Sequence, residues 1–373
     1  MMGRRVLVTG LGSFWGGRVA QALEQDPGVD VIIGLDTTEP TVQLDRTEFV
    51  RTDESYSILS RIVRATQVDT IIHTFLVVDS SQVSSRHMHE INVIGTMNLF
   101  AAASQPESKV CNVVVKSSTL VYGSNFADPV WFTEDSRRSA LPRHRVERSL
   151  LEVEGYVRDY AIDNPDVSVS LLRFSNVLGE DIATPITRAL ELPLVPSIFG
   201  FDPRLQFVHE VDVIRAIMFV LDNDLHGTFN VAGDGLMPWS EVVAMCAKRL
   251  APLPPIGRSL AGSVLTRLGI DMPPELIDLL TYGRGADNRR LVHAGFDYRY
   301  TSAGAVRAFA EAARLRSTVG DQPAYRYERD VEQFFRHSPA VVREPRGGVP
   351  RTSGGARWCD RPLLARGRPV PRL

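Results

Sequence analysis

The stretch that decides the fold is Arg5-Val6-Leu7-Val8-Thr9-Gly10-Leu11-Gly12-Ser13-Phe14-Trp15-Gly16, close to the start of the chain. Its apolar, β-branched beginning predicts a buried strand over Arg5–Thr9. Glycines follow directly, and a helical pattern begins near Gly16. Backbone N–H groups and the helix dipole at such a turn attract a pyrophosphate, and glycines allow its close approach. The stretch therefore predicts a dinucleotide-binding turn formed by Gly10, Gly12, Ser13, Phe14, Trp15 and Gly16.

Short apolar runs alternate with longer amphipathic segments over the first 180 residues. This alternation is typical of βαβ units and a parallel sheet. Strands are predicted at Arg5–Thr9, Val31–Asp36, Glu48–Arg51, Thr70–His73, Asn112–Lys116 and Ser168–Arg173. Helices are predicted at Gly16–Gln25, Ser57–Ala65, Met88–Ser104, Ser149–Tyr160 and Ala303–Leu315. The predicted fold class is α/β, a Rossmann-type doubly wound parallel sheet with a smaller C-terminal substrate lobe.

Three regions are predicted along the chain. Residues 1–180 form the dinucleotide-binding domain, and later segments such as 205–235 return to it. Beyond residue 180 the alternation weakens and Pro and Gly become frequent, so we predict that residues 181–335 mainly form the substrate-binding lobe. Residues 336–373 are rich in Arg, Gly and Pro and poor in large apolar side chains, which predicts a disordered tail.

The second predicted strand ends in an acidic residue, Asp36. A carboxylate at this position accepts hydrogen bonds from the adenosine ribose and repels a 2′-phosphate, so it favours NAD over NADP. The next residues, Thr37-Thr38-Glu39, include no arginine that could hold a phosphate. The alternative is that Asp36 simply forms the turn at a strand end.

Composition describes an ordinary globular chain. The 373 residues carry a formal net charge of −2 and are 44% hydrophobic, which gives no argument for a nucleic-acid partner. The three cysteines form no Cys-x-x-Cys pair, and no metal site is predicted. No run approaches about eighteen apolar residues, and a strand begins too early for a signal peptide to precede it. We therefore expect a cytoplasmic protein without a membrane span.

Further motifs follow in a fixed order along the chain. Ile71-Ile72-His73 ends a predicted strand, Asn92-Val93-Ile94-Gly95-Thr96-Met97-Asn98 lies in a predicted helix, and Ser117-Ser118-Thr119-Leu120-Val121-Tyr122-Gly123 follows the next strand. Leu172-Arg173-Phe174-Ser175-Asn176 and Phe207-Val208-His209-Glu210-Val211-Asp212 come later. Together with the glycine turn, this series resembles the extended short-chain dehydrogenase/reductases, in particular their NAD-dependent epimerase/dehydratase family. The resemblance covers roughly residues 3–300 and excludes the tail.

The resemblance implies NAD as the cofactor, a nucleotide sugar or related alcohol as the substrate, and a possible homodimer. Further residues implied to contact the cofactor are Asp53, His73 and Asn92. Ser118 would hydrogen-bond the reacting oxygen of the substrate, and Asn176 would face the substrate. Arg204 sits where the family often grips a nucleotide-sugar phosphate, which suits the fork of a guanidinium group. The alternatives are a turn-forming role for Asp53 and an ordinary surface position for Arg204.

One part of the family's machinery is missing. In the family a Tyr-x-x-x-Lys pair follows the serine segment and performs the proton chemistry. The corresponding segment here, Ser139–Glu154, contains neither Tyr nor Lys. His144 and Arg148 keep the four-residue spacing, so His144 is a candidate base and Arg148 a candidate holder of the ribose hydroxyls. The alternative is that Arg143–Arg148 is a charged loop or helix start without chemistry.

Three functional hypotheses remain open from the sequence. The first is an NAD-dependent enzyme that acts on a nucleotide sugar through transient hydride transfer, with Ser118 and a non-standard base. The second is an NAD-binding sensor or scaffold without turnover, because the Tyr-Lys pair is missing. The third is a hydrophobic-alcohol dehydrogenase of the steroid type, suggested by the bulky Thr74-Phe75-Leu76 and the apolar Ser259–Leu268.

Overall fold

The computed structural model describes residues 3–53, 55–81, 83–254 and 272–319. A sheet of seven parallel strands forms its centre, in the order β12-β7-β5-β4-β1-β2-β3. These strands are β1 (Arg4–Thr9), β2 (Val29–Asp36), β3 (Thr47–Arg51), β4 (Thr70–His73), β5 (Asn112–Ser118), β7 (Ser168–Phe174) and β12 (Gly227–Val231). The prediction of a doubly wound α/β sheet is confirmed. The chain order reverses beside β1, where such sheets bind their ligands.

Short strands complete the β-structure outside the central sheet. They are β6 (Trp131–Phe132), β8 (Asn176–Leu178), β9 (Leu194–Ile198), β10 (Arg204–Leu205), β11 (Phe207–His209), β13 (Met237–Pro238), β14 (Arg249–Leu253) and β15 (Gly285–Ala286). Each joins a two-stranded sheet. The pair of β8 with β11 is parallel and continues from the end of β7, so it extends the structure at the carboxyl edge of the central sheet.

Helices cover both faces of the central sheet. They are α1 (Phe14–Glu24), α2 (Tyr56–Thr66), α3 (Ser85–His89), α4 (Thr96–Ala103), α5 (Arg145–Asp163), α6 (Pro185–Glu191), α7 (Glu210–Asp222), α8 (Trp239–Met245), α9 (Pro274–Tyr282), α10 (Arg289–His293) and α11 (Ser302–Val319). One hydrophobic cluster packs α2, α4 and α5 on one face of the sheet, and a second packs α1 and α7 on the other. This two-sided burial explains the strands' continuous apolar runs.

The predicted helix Met88–Ser104 is interrupted by a π-helical segment, Glu90–Gly95, between α3 and α4. The Thr96 hydroxyl donates a hydrogen bond to the Asn92 carbonyl at 2.5 Å, while the Asn92 side chain bonds the backbone of Val77 on both sides at 2.8 Å. Turns of this type often occur at functional sites. The π-helical segment therefore coincides with the contact between Asn92 and the loop after β4. Helical periodicity in the sequence does not encode such a tertiary contact.

A third hydrophobic cluster lies beyond the carboxyl edge of the sheet. It is formed by residues of α6, α8, α9 and α11 together with β9 and β11. Between these elements the chain returns to the central sheet as β12, one of the two outer strands of that sheet. The apolar stretch Ser259–Leu268 and the tail 336–373 lie outside the described residues. Within the described ranges, no helix combines the length and apolar character needed to cross a membrane.

Candidate functional site

The glycine turn between β1 and α1 is shaped for the close approach of a ligand. Gly10 has a φ of +75°, a conformation that favours glycine. A Cβ on Gly12 would collide with Thr38, and a Cβ on Gly16 would collide with the backbone carbonyl of Gly10. The Ser13 hydroxyl donates to the Gly10 carbonyl at 2.7 Å and accepts from the Gly16 N–H at 3.3 Å, so it forms the N-cap of α1. Serine therefore has a defined structural task at the position where the family has its middle glycine.

The Asp36 carboxylate lies directly beside this turn. One oxygen accepts from the Gly12 N–H at 2.9 Å, and the other accepts from the N–H and the hydroxyl of Thr38 at 2.9 and 3.1 Å. Each carboxylate oxygen can accept about two hydrogen bonds, so the oxygen that faces Thr38 is satisfied and the oxygen that faces Gly12 can accept one more. The glycine turn and Asp36 are thus brought together in the arrangement that suits an adenosine ribose and a pyrophosphate.

A cavity opens at the carboxyl ends of β5 and β7, where ligands bind in sheets of this type. Its lining includes Trp15, Ser118, Phe174 and Asn176. The Ser118 hydroxyl accepts from the Leu120 N–H at 3.2 Å, and the Asn176 amide donates to the Gln206 carbonyl at 2.8 Å. Two of the residues expected at the substrate, Ser118 and Asn176, therefore lie in one cavity with a residue of the glycine turn.

His144 and Arg148 lie elsewhere. Among the described residues that line this cavity, neither is present. His144 is the N-cap residue of α5 and its Nε2 lies 2.9 Å from an oxygen of Asp278 in α9, while Arg148 is exposed and donates to the Pro142 carbonyl at 3.3 Å. The α5 side chains that turn inward instead are Val146 and Leu150, both fully buried in the first hydrophobic cluster. A role for His144 or Arg148 at the reacting centre stays a prediction without support from this geometry.

The pairing with Asp278 gives His144 a structural role that depends on pH. The hydrogen bond to Asp278 raises the pKa of the His144 imidazole above its usual value, and burial opposes this increase. The protonated ring therefore favours the folded state. Its stabilisation is present below the unfolded pKa of about 6.5 and is lost as the pH rises through the higher folded pKa.

We expect His144→Gln to lower the melting temperature more at about pH 6 than at about pH 9, with a difference of about 1–3 °C. Thermal unfolding followed by circular dichroism measures this difference. His226→Gln is the matched control, because His226 is exposed. Equal losses for His144→Gln at both pH values would contradict the assignment.

The remaining predicted site residues are at the edges of the site or beneath it. His73 is fully buried, and its ring nitrogens lie 2.7 Å from the Thr9 hydroxyl and 2.9 Å from the Thr96 hydroxyl. Burial lowers the pKa of His73 to about 3, so its ring is neutral and ties neighbouring elements together. Asn92 anchors the loop after β4, as described above. Both residues hold neighbouring backbone segments in place beneath the site. Direct contact of either residue with the cofactor stays a prediction.

Asp53 and Arg204 are both exposed. Asp53 accepts from the Ser55 N–H at 3.2 Å in the turn before α2. Arg204 lies in β10, and in the described part of the chain it is not among the residues lining the Ser118 cavity. These positions agree with the alternatives of a turn-forming aspartate and a surface arginine.

Four charged residues that the sequence motifs did not mark line the same cavity: Asp79, Lys116, Glu275 and Arg284. Glu275 is 5% exposed, one of its oxygens accepts from the Ser80 N–H, and the other has no hydrogen-bond partner within the described residues. Arg284 donates to the Gly123 carbonyl at 3.0 Å, and burial lowers its pKa to about 10. Glu275 and Arg284 follow the predicted Rossmann half, and no sequence motif marked them. Lys116 could have been found, because alternation along a strand places it on the face of Ser118.

The fold and the site define a dinucleotide-binding protein that also has a cavity at the carboxyl ends of β5 and β7. The sequence profile of the "NAD dependent epimerase/dehydratase family" matches residues 6–232. The chain belongs to this family, whose cofactor is NAD, and both predictions are confirmed. The tight glycine turn, in which a Cβ at Gly12 or Gly16 would collide with Thr38 or the Gly10 carbonyl, and the Asp36 carboxylate fit that cofactor.

Individual proteins are similar to this chain. An uncharacterised protein of Mycobacterium tuberculosis is 35% identical over 319 residues, which cover 83% of this chain and 84% of the relative. UDP-glucose 4-epimerase 3 of Oryza sativa subsp. japonica is 31% identical over 193 residues, 48% of this chain and 50% of that protein. The solved structure of MoeE5 in complex with UDP-glucuronic acid and NAD superposes with a TM-score of 0.66 at 21% identity, covering 83% of this chain and 99% of MoeE5. This last similarity concerns the fold.

Proposed function

We propose that this protein is an NAD-dependent enzyme that acts on a nucleotide sugar or a related alcohol through transient hydride transfer. The observation that carries the proposal is the junction of two sites: the Ser118 cavity shares Trp15 with the glycine turn. A substrate oxygen bound at Ser118 is therefore adjacent to the end of a dinucleotide held by that turn. NAD supplies the hydride acceptor when it is bound.

The strand order supports this orientation of the cofactor. Asp36 ends β2, so the adenosine half lies over the β2 side of β1. The strands on the other side of β1 are β4 and then β5, which carries Ser118. The nicotinamide half of an extended dinucleotide thus falls toward the cavity.

The cavity combines apolar walls with a few polar groups. Val78, Ile182 and Leu276 contribute apolar walls. One oxygen of Glu275, which has no partner in the part of the chain that the structure describes, can accept a hydrogen bond from a hydroxyl. Arg284 provides a buried positive charge. This mixture is typical of small-molecule sites, and a hydroxyl-rich, anionic ligand such as a nucleotide sugar suits it.

The second candidate is an NAD-binding sensor or scaffold without turnover. It is favoured by the position of His144 and Arg148 outside the cavity and by the apolar residues Val146 and Leu150 on the inner face of α5. The third, a hydrophobic-alcohol dehydrogenase, draws on the apolar part of the cavity lining. Substrate screening separates the three.

The test begins with the purified protein. Its denatured extract is analysed by mass spectrometry for NAD, and calorimetry compares the affinities for NAD⁺ and NADP⁺. UDP-sugars, dTDP-sugars and apolar alcohols are then incubated with the NAD-loaded protein and followed by NMR. We expect preferential NAD binding and conversion of a nucleotide sugar. Absence of NAD binding removes the proposal, binding without any conversion leaves the sensor, and conversion of apolar alcohols alone leaves the third candidate.

Asp36→Asn is expected to weaken NAD⁺ binding about tenfold or more, since a charge-assisted hydrogen bond contributes about 1.5–3 kcal/mol. The preference over NADP⁺ should shrink as well, because the repulsion of a 2′-phosphate is removed. Calorimetric titration with both cofactors measures the two effects. Asp163→Asn serves as the control, because Asp163 is exposed at the C-terminal end of α5. Unchanged selectivity in Asp36→Asn would contradict the placement of the ribose.

A further inference from the structure

Lys116 occupies a position in the site that the family's motifs do not describe. It lies in β5, two residues before Ser118, so both side chains project from the same face of the strand about 6–7 Å apart. Both residues line the cavity, and Lys116 is 5% exposed. The chain thus contains a buried amine beside the serine, although the segment that supplies the family's lysine contains none.

The contacts of Lys116 leave most of its donor capacity open. Its Nζ donates to the Leu76 carbonyl at 2.8 Å and lies 4.6 Å from the centre of the Trp15 ring. Within the described residues it forms no salt bridge. An ammonium group has three donors, so this environment satisfies a charged lysine only in part. Burial accordingly lowers the pKa of Lys116 to about 7.

The charged and titratable groups around Lys116 come from three sides. His73, on the neighbouring strand β4, is held neutral by burial and is close enough to Lys116 for the two to repel each other when charged. Asp79, in the loop after β4, also lines the cavity but is paired with Arg188. Glu275 and Arg284 contribute opposite charges from the α9 side. Burial is the dominant influence on Lys116, and none of these groups forms an ion pair with it.

We propose that Lys116 is the proton-exchanging group of this site and takes over the task of the missing Tyr-Lys pair from a new position in the fold. The proposal rests on the proposed function, because it requires NAD in the adjoining turn. The neutral amine of Lys116 accepts the proton of the substrate hydroxyl as the O–H bond breaks and the carbonyl forms. The hydride on the same carbon leaves for NAD⁺, and Ser118 hydrogen-bonds the substrate oxygen. In the reverse direction the ammonium returns the proton when the carbonyl is reduced.

The first test is a direct titration of the amine. The chain contains three lysines, Lys109, Lys116 and Lys248, so protein labelled with ¹³C- and ¹⁵N-lysine gives three side-chain signals. Lys109→Arg and Lys248→Arg assign the signals and act as internal references, because neither residue is in the cavity lining. We expect Lys116 to titrate near pH 7. Titration of Lys116 above about pH 9.5, in the usual lysine range, would overturn the proposal.

The second test uses the charge of the cofactor. The nicotinamide ring is positively charged in NAD⁺ and uncharged in NADH, so a protonated Lys116 beside it opposes NAD⁺ selectively. The affinity for NAD⁺ relative to NADH should rise at least about threefold between pH 6 and pH 8.5, and Lys116→Met should abolish this rise. Lys116→Arg, whose charge is permanent, should bind NAD⁺ weakly at both pH values.

With a substrate that the wild-type protein converts, Lys116→Met should lower turnover by about 10²–10⁴-fold, the usual contribution of an acid–base group. NAD affinity at pH 8.5 should remain within about threefold of the wild type. If NAD fails to bind the wild-type protein, the proposed function itself fails. If NAD binds with a pH-independent NAD⁺/NADH ratio, or if Lys116→Met turns over like the wild type, the role of Lys116 alone is refuted.

Discussion

Replacing Glu154 with alanine is expected to lower the free energy of unfolding by about 3–5 kcal/mol, because the substitution leaves a buried guanidinium unpaired. Glu154 and Arg173 are 8% and 13% exposed in their side chains, and they are joined by contacts of 2.6, 3.0 and 3.2 Å. Glu154 also accepts the Ser117 hydroxyl at 2.6 Å, and Arg173 donates to the Tyr122 hydroxyl at 2.8 Å. In the wild type the carboxylate raises the pKa of Arg173. Without it the guanidinium still keeps its charge, because an arginine is not deprotonated in proteins.

The measurement is chemical denaturation of the wild type, Glu154→Ala and the control Glu152→Ala. Glu152 lies on the same helix but is exposed, and its pairing with His89 has a distance of 3.6 Å. The control should therefore change stability by less than about 0.5 kcal/mol. A loss below about 1 kcal/mol for Glu154→Ala would show that the network contributes little. Since Ser117 precedes Ser118, the same variant tests whether this network holds the serine segment in place.

Gly16→Ala is expected to weaken NAD binding by at least about 100-fold, since displacing the turn costs two or more hydrogen bonds to the pyrophosphate at about 1.5–3 kcal/mol each. The cause is steric, because a Cβ on Gly16 would overlap the Gly10 carbonyl. That carbonyl belongs to the backbone and cannot move aside as a flexible side chain would. The first turn of α1 would have to shift away from the glycine turn, and the N–H groups aimed at the phosphates would shift with it.

Gly155→Ala is the matched control. Gly155 also lies within a helix, but a Cβ there meets only a guanidinium nitrogen of Arg158 at 3.9 Å. This variant should keep its NAD affinity and gain up to about 1 kcal/mol of stability from helix propensity. Calorimetry gives the affinities, and circular dichroism confirms that both variants fold. Wild-type NAD affinity in Gly16→Ala would refute the position of the pyrophosphate.

The loss of stability expected for Glu154→Ala and the loss of NAD affinity expected for Gly16→Ala have different physical causes. Gly16 acts in the turn where we propose that the cofactor binds, while Glu154 acts beneath the serine segment through a largely buried charge. A variant defective in one property and normal in the other would therefore separate cofactor binding from the rigidity of the Ser118 region.

The possible homodimer stays a prediction, and size-exclusion chromatography with light scattering is the direct way to measure it.

The sequence by itself determined the elements with strong local signals. β1, the glycine turn and Asp36 follow from apolar runs, glycine sterics and strand-end chemistry, and each of these acts over a few residues. Asp36 and Gly12 come together because β1 and β2 pair in parallel, a pairing that the alternation of strands and helices predicts. Ser118 and Asn176 came from the family resemblance, and they lie in one cavity because β5 and β7, whose carboxyl ends they follow or terminate, are neighbours in the sheet.

Only the tertiary structure decided which polar groups share the cavity with Ser118. The spacing of His144 and Arg148 fits one helical turn, but spacing does not fix the rotation of α5, and packing directs Val146 and Leu150 inward instead. Glu275 reaches the cavity from more than 150 positions further along the chain than Ser118. The low pKa of Lys116 likewise depends on burial against Trp15 and the loop after β4, and burial is produced by long-range packing rather than by neighbours in sequence.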